Sequence, residues 1–254
     1  MPDVNNKSII LTGGAGDIAR VAAARFIEGG ARVLLVDIDE AALESTTASL
    51  GSNQVSYCVA DVTDEDDTAA YIEAAVSRHG GVDVLLANAG IEGMVAPLPE
   101  YDSGMFDKVM AVNVRGVFLG LKHVFPVMAG GGGGSVIITS SVAGASGSPG
   151  ISAYNASKHA VIGLMRSAAR EGGPLNIRVN TINPAPIEGR MISSLENGMM
   201  PDGADEVREG MQARIPLGRY GLPADVANLM LFLSGEESRY LSGAVYMVDG
   251  GMLS

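Results

Sequence analysis

One cysteine stands among the 254 residues, so no intramolecular disulfide braces the fold. Cys58 lies among Val55, Tyr57 and Val59 in a run that looks like a buried strand, which reads as structural filler rather than a redox centre. Basic residues are also scarce: 17 Lys and Arg face 29 Asp and Glu, the formal net charge is -12, and no run of Lys or Arg builds a local patch. Nucleic acid and anionic membranes are therefore disfavoured as partners. No apolar run reaches the ~18 residues that a membrane helix needs, and the N-terminal stretch lacks a charged region followed by a secretory core, so a cytoplasmic protein is expected. The histidines, His79, His123 and His159, are scattered and predict no metal site.

What is abundant points elsewhere. With 47% hydrophobic residues and 34 glycines, the chain can fill one large core and make many tight turns. Short runs rich in Val, Ile and Leu occur at 8–12, 32–37, 55–61, 82–90, 135–141, 177–184 and 244–251, with helical stretches expected near 18–29, 40–50, 65–78, 103–128, 153–171 and 223–234. Continuous apolar runs suit strands buried on both faces. Their alternation with helices predicts an α/β fold, a single domain over 1–254 built on a doubly wound parallel sheet of about seven strands with helices on both faces. The glycines from Gly130 to Gly134 read as a flexible loop. The stretch 187–215 follows a strand, mixes Met, Ser, Gly and acidic residues without a clean period, and is expected to form a substrate lid. Its Met191, Met199 and Met200 serve equally well as core or as an adaptable pocket lining.

The first strand runs into Gly13, Gly14, Ala15, Gly16, Asp17 and Ile18 before a helix resumes. Glycines there let backbone amides and a helix start approach a pyrophosphate, although any tight strand-to-helix turn uses them too. Asp37, about 20 residues on, sharpens the reading: at the end of the second strand a carboxylate accepts hydrogen bonds from adenosine ribose hydroxyls and repels a 2′-phosphate. No Arg or Lys at 14, 15 or 38 compensates, so NAD is favoured over NADP.

Taken with Asp61 and Val62, Asn88, Ala89 and Gly90, Asn113, Tyr154 and Lys158, Asn183 and Pro184, and Val248 to Gly251, this loop resembles the TGxxxGxG turn of the short-chain dehydrogenase/reductase family, in register along nearly the whole chain. The resemblance implies a Rossmann-type fold, an NAD-dependent alcohol dehydrogenase or ketoreductase, and a homotetramer. It places Gly13, Gly16, Asp17, Ile18, Asp37 and Ile38 against the dinucleotide, Asp61 and Val62 on the adenine, and Asn88 to Gly90 along the central sheet and adenine ribose. Pro184 and Ile187 fall in the loop beside the carboxamide, with Ile187 as the main-chain contact. Two departures fall in the glycine turn, Asp17 for a glycine and Ala19 for another. A carboxylate ~4 Å from a phosphate would cost roughly 1 to 4 kcal/mol, so Asp17 is expected to turn outward as a cap and leave the diphosphate to the backbone. Gly189 stands where many relatives carry Thr.

For the chemistry, Tyr154 and Lys158 stand four apart on one helical face, where an ammonium stabilises phenolate. Alone this is a common surface pair, and its register with the cofactor motifs makes it catalytic. Ser140 and Ser141 end the fifth strand, and a hydroxyl there donates to a substrate oxygen. The family's spacing of thirteen residues before the tyrosine selects Ser141 and leaves Ser140 as its structural neighbour. The resemblance also gives Lys158 a hydrogen bond to the nicotinamide ribose and Asn113 a main-chain-held water in a proton relay.

The expected function is NAD(H)-dependent interconversion of a small-molecule secondary alcohol and a ketone. A non-catalytic NAD sensor on the same fold is the alternative from another class. A 3-oxoacyl-thioester reductase is a further alternative, against which Asp37 argues because such enzymes usually prefer NADP. Substrate identity depends on the lid and on residues around Glu92 to Leu98. Leu222 to Leu233 suits either a subunit contact or the chain's own sheet.

Overall fold

The computed structural model describes residues 2–254. Seven strands, β1 (Ser8–Thr12), β2 (Arg32–Asp37), β3 (Val55–Val59), β4 (Val84–Ala87), β5 (Gly134–Thr139), β6 (Ile177–Pro184) and β7 (Val245–Val248), form one parallel sheet in the order β3-β2-β1-β4-β5-β6-β7. The sequence order reverses beside β1, so the carboxyl ends of β1 and β4 flank the switch point where such sheets bind ligands. Because successive side chains of a strand point to opposite faces, Ile10, Leu34 and Leu85 enter one core while Ile9, Leu11 and Leu35 enter the other. Each fully buried side chain of this kind contributes roughly 1.5 to 3 kcal/mol.

Helices α3 (Glu65–His79), α5 (Gly116–Gly130) and α6 (Ser152–Gly172) cover the first face; α1 (Asp17–Glu28), α2 (Glu40–Leu50) and α9 (Pro223–Ser234) cover the second. Local chemistry starts several of them. Asp39 caps α2 through Ala42 N at 3.0 Å, Asp64 caps α3 through Asp66 and Asp67, and Asp102 caps α4 (Ser103–Met110) through Met105 N at 2.7 Å.

The structure revises four local expectations. The single helix expected at 103–128 is α4 and α5 joined by a π turn over Ala111–Arg115. Strand β3 is the sheet edge, so Cys58 is half-buried and Val59 is 43% exposed rather than sealed in a core. The glycine tract is only partly a loop: Gly130 ends α5, Gly134 opens β5, and a side chain at Gly133 would collide with the Asn176 carbonyl while Gly132 faces open space. The 187–215 stretch carries two helices, α7 (Arg190–Met199) and α8 (Ala204–Gln212), whose Ile192 and Leu195 pack with Ile215 and Tyr220. In α9, Val226, Ala227, Met230, Leu231 and Leu233 face the chain's own core. No helix among the described residues is long and apolar enough to cross a membrane.

Candidate active site

The loop after β1 lies flat on its neighbours. Gly13 has φ +66°, and a Cβ there would sit 2.9 Å from the Ala89 Cα; one at Gly14 would sit 2.8 Å from the Leu35 Cβ. Only glycine allows this approach. Unlike α2, α3 and α4, helix α1 has no side-chain cap, because its N-cap is Gly16. Among the described residues, the amides of Asp17, Ile18 and Ala19 find no acceptor. Free donors at the positive end of a helix dipole make a seat for an anion such as a diphosphate.

Around that seat stand the other dinucleotide candidates. Asp37 ends β2 with Oδ2 accepting from Ala15 N at 3.1 Å and Oδ1 from Ile38 N at 2.8 Å, and the Ile38 side chain is 67% exposed next to it. Oδ1 also accepts from Asp39 N at 3.3 Å, so Oδ2 is the oxygen that retains a lone pair for a ribose hydroxyl. Asp61 accepts from Thr63 N at 2.8 Å, and Val62 packs against Gly116. Asn88 ties three strands together: its amide and side chain donate to Thr12, and its Oδ1 accepts from Thr139 Oγ1 at 3.0 Å. The Ala89 amide also donates to Thr12 Oγ1 at 3.1 Å. These residues fit an extended dinucleotide, with the diphosphate on α1 and a ribose at Asp37.

The candidate catalytic residues gather at the carboxyl end of β5. Ser141 accepts from Ala143 N at 3.1 Å and donates to Pro184 O at 3.4 Å, while Asn183 Nδ2 donates to Ser141 O at 2.8 Å. Ser140 is turned away, donating to the Lys158 carbonyl at 2.9 Å. On α6, Tyr154 and Lys158 are both buried. Lys158 Nζ sits 5.4 Å from the Tyr154 ring centroid and donates to Thr139 O at 2.8 Å. A Cβ on Gly90 would stand 3.4 Å from that Nζ, so glycine leaves the ammonium its room. Asn113, in the π turn, accepts from Ile91 N at 2.8 Å and donates to Ile91 O and to Ser157 Oγ, both at 3.0 Å. A π turn breaks the regular i→i−4 ladder, and such bulges recur at functional sites. Ile187 pairs with Gly221, and among the described residues its amide has no acceptor.

Burial governs both titratable groups. It pushes Tyr154 up to about 12; the Ser141 hydroxyl pulls the phenol down and the Glu92 carboxylate pushes it further up. Burial likewise brings Lys158 down to about 8. The sequence led to a phenol lowered by its lysine neighbour. Desolvation dominates instead, and the lowering influence comes from the Ser141 hydroxyl rather than from Lys158.

The sequence marks Glu92 only as the edge of a substrate-shaping stretch, and foretells neither its burial nor its pairing with Arg190. Glu92 is only 7% exposed and accepts from Arg190 Nη1 at 3.1 Å. Arg190 opens α7, and its amide donates 3.0 Å to Asp17 Oδ2. Asp17 thus caps a helix, but one 173 residues away rather than its own. Met191 and Met199 are half-buried and Met200 is exposed; the apolar wall beside Tyr154 is made instead by Ala143, Ile151, Ile192 and Leu195. The histidines take other duties: His79 meets Ser8 Oγ, His123 meets Glu65, and His159 meets the Asn155 carbonyl. Among the described residues, no group of three metal-ligating side chains converges.

A family model described as enoyl-(acyl carrier protein) reductase matches residues 13–253. Levodione reductase of Leifsonia aquatica is 36% identical over 97% of this chain and 94% of its own length, and the crystal structure of levodione reductase superposes with a TM-score of 0.95 at 35% identity, covering 97% of each chain. The structure of NAD+-bound xylitol dehydrogenase gives a TM-score of 0.92 at 32% identity, covering 98% of this chain and 99% of the other. The 3-ketoacyl-(acyl-carrier-protein) reductase of Brucella melitensis, complexed with NADH, gives 0.90 at 30% identity with the same coverage. The chain belongs to the short-chain dehydrogenase/reductase family of oxidoreductases.

Proposed function

We propose that the protein is an NAD(H)-dependent oxidoreductase that interconverts a secondary alcohol and a ketone, with Tyr154 as acid/base, Ser141 holding the reacting oxygen, Lys158 tuning the phenol and Asn113 completing the relay. The observation that carries this is the convergence of buried Tyr154 and Lys158 with Ser141 at the carboxyl end of β5, joined to the dinucleotide seat by the chain Lys158–Thr139–Asn88–Thr12. NAD supplies the hydride acceptor or donor when bound. In the reducing direction the neutral Tyr154 phenol gives its proton to the ketone oxygen as hydride arrives. In the oxidising direction Tyr154 must first lose its proton to the relay, and as phenolate offset by Lys158 it takes the alcohol proton as the carbon–oxygen double bond forms. Ser141 donates to the substrate oxygen where negative charge develops. A lysine that holds its proton at neutral pH offsets phenolate charge, and a site shielded by Ile192 and Leu195 strengthens that attraction.

Asp37 supports NAD over NADP through repulsion of a 2′-phosphate. It does not weigh against the thioester-reductase reading, because the Brucella relative of that name is complexed with NADH. The apolar wall beside Tyr154 favours a free alcohol or ketone. The family's homotetramer and a cytoplasmic location accompany the reading, and light scattering checks the first.

The test is turnover. NADH absorbance is followed with a panel of cyclic and acyclic secondary alcohols, the matching ketones and a 3-oxoacyl thioester, each with NAD(H) and NADP(H). Turnover of an alcohol–ketone pair with NAD(H) supports the proposal. Turnover confined to the thioester assigns the second reading, and NADH binding without turnover on any member assigns the sensor.

A further inference from the structure

Two of the chain's departures from the family pattern, Asp17 in the glycine turn and Gly189 before α7, are 172 positions apart in sequence yet meet in space. Gly189 has φ +147°, a conformation L side chains rarely adopt, and a Cβ there would collide with Asp17 Oδ2. The same oxygen accepts the Arg190 amide at 3.0 Å. Gly189 itself brings no capping side chain to α7, so the carboxylate supplies what that helix start lacks. From the same residue the Arg190 guanidinium reaches buried Glu92 at 3.1 Å, although the arginine side chain is 70% exposed. Behind this contact the two lid helices are braced together: Arg208 of α8 pairs with Glu188 and lies 3.7 Å from Glu196 of α7, stacked 4.7 Å over Tyr220. A pull on Arg190 is therefore transmitted to the whole 187–215 unit.

We propose that Asp17 is a positioning residue that docks the lid on the dinucleotide loop: its carboxylate caps α7, Gly189 admits it, and Arg190 carries the tether across to Glu92. The inference rests on the dinucleotide and lid reading above. The chain's own carboxylates then hold the lid down before any cofactor arrives, and Asp17, drawn toward α7, leaves the amides of α1 to the diphosphate. Cofactor entry and exit must work against this latch, and the negative charge retained beside the diphosphate seat weakens binding.

Hydrogen exchange of the α7 amides in the cofactor-free protein, together with NADH titration and dissociation rates, tests the proposal on Asp17→Ala and Asp17→Asn. Asparagine keeps an acceptor for the Arg190 amide and loses the charge; alanine loses both. Asp17→Ala is expected to speed exchange across 190–199 by about tenfold or more, with β4 and β5 unchanged, and to speed NADH release. Asp17→Asn is expected to keep α7 protection within about twofold of wild type while binding NADH more tightly. Wild-type exchange in Asp17→Ala, or equal loss of protection in both variants, would overturn the latch. If wild type fails to bind NADH, the dinucleotide reading falls, and the exchange arm still decides the latch.

Discussion

The dinucleotide end and the reacting end of the cleft handle charge in opposite ways. At the first, free backbone amides on α1 and a part-exposed Asp37 wait for a ligand, and no buried charge is needed to hold them. At the second, Lys158 and Tyr154 are buried with their pKa values driven to about 8 and about 12. One end is preorganised cheaply by glycines and strand ends; the other stores desolvation energy in side chains. Changes at the reacting end should trade activity against stability, and changes at Asp37 should alter binding alone.

Lys158→Met sharpens this comparison most. Moving an ammonium from 10.5 to about 8 costs the fold at most roughly 3 kcal/mol at neutral pH. Methionine relieves that but strands the Thr139 carbonyl, at about 1 to 3 kcal/mol. A net gain of about 1 kcal/mol should raise the melting temperature at pH 7 by ~2 to 4 °C, while kcat falls a hundredfold or more. The unfolded chain binds more protons than the folded one between about pH 8 and 10.5, so Lys158 makes wild-type stability rise with pH through that window. The Met variant should lose this rise, which denaturant titrations across the window will show.

Asp37→Ala probes the other end. The variant should melt within about 1 °C of wild type, because the part-exposed carboxylate serves only the backbone amides of Ala15, Ile38 and Asp39. Its preference for NAD over NADP, read as the ratio of kcat/KM values, should fall by about tenfold. A large loss of stability would break the contrast between the two ends.

The same contrast explains what the sequence made legible. Strands sealed on both faces read as continuous apolar runs, and the helices expected at 40–50 and 65–78 begin where the structure has Asp39 and Asp64 as caps. Tyr154 and Lys158 were visible because four residues span one helical turn. The helices of 187–215 were not, because Gly189, Gly198 and Gly203 interrupt a stretch of mixed Met, Ser and acidic residues; the cap of α7 arrives from Asp17. The pairing of Glu92 with Arg190 was hidden for a related reason, since partners 98 residues apart leave no local pattern. Edge position also escapes a sequence, which is why β3 looked buried. Nor could spacing reveal that burial, rather than the lysine, dominates the phenol's acidity.

The most direct test of the account is single-turnover formation of NADH by wild type and Tyr154→Phe on the best alcohol of the panel. Loss of the buried phenol oxygen should slow the hydride step by about a thousandfold while NADH affinity stays within about threefold. Equal rates in the two proteins would contradict Tyr154 as the acid/base, and with it the account of the reacting end.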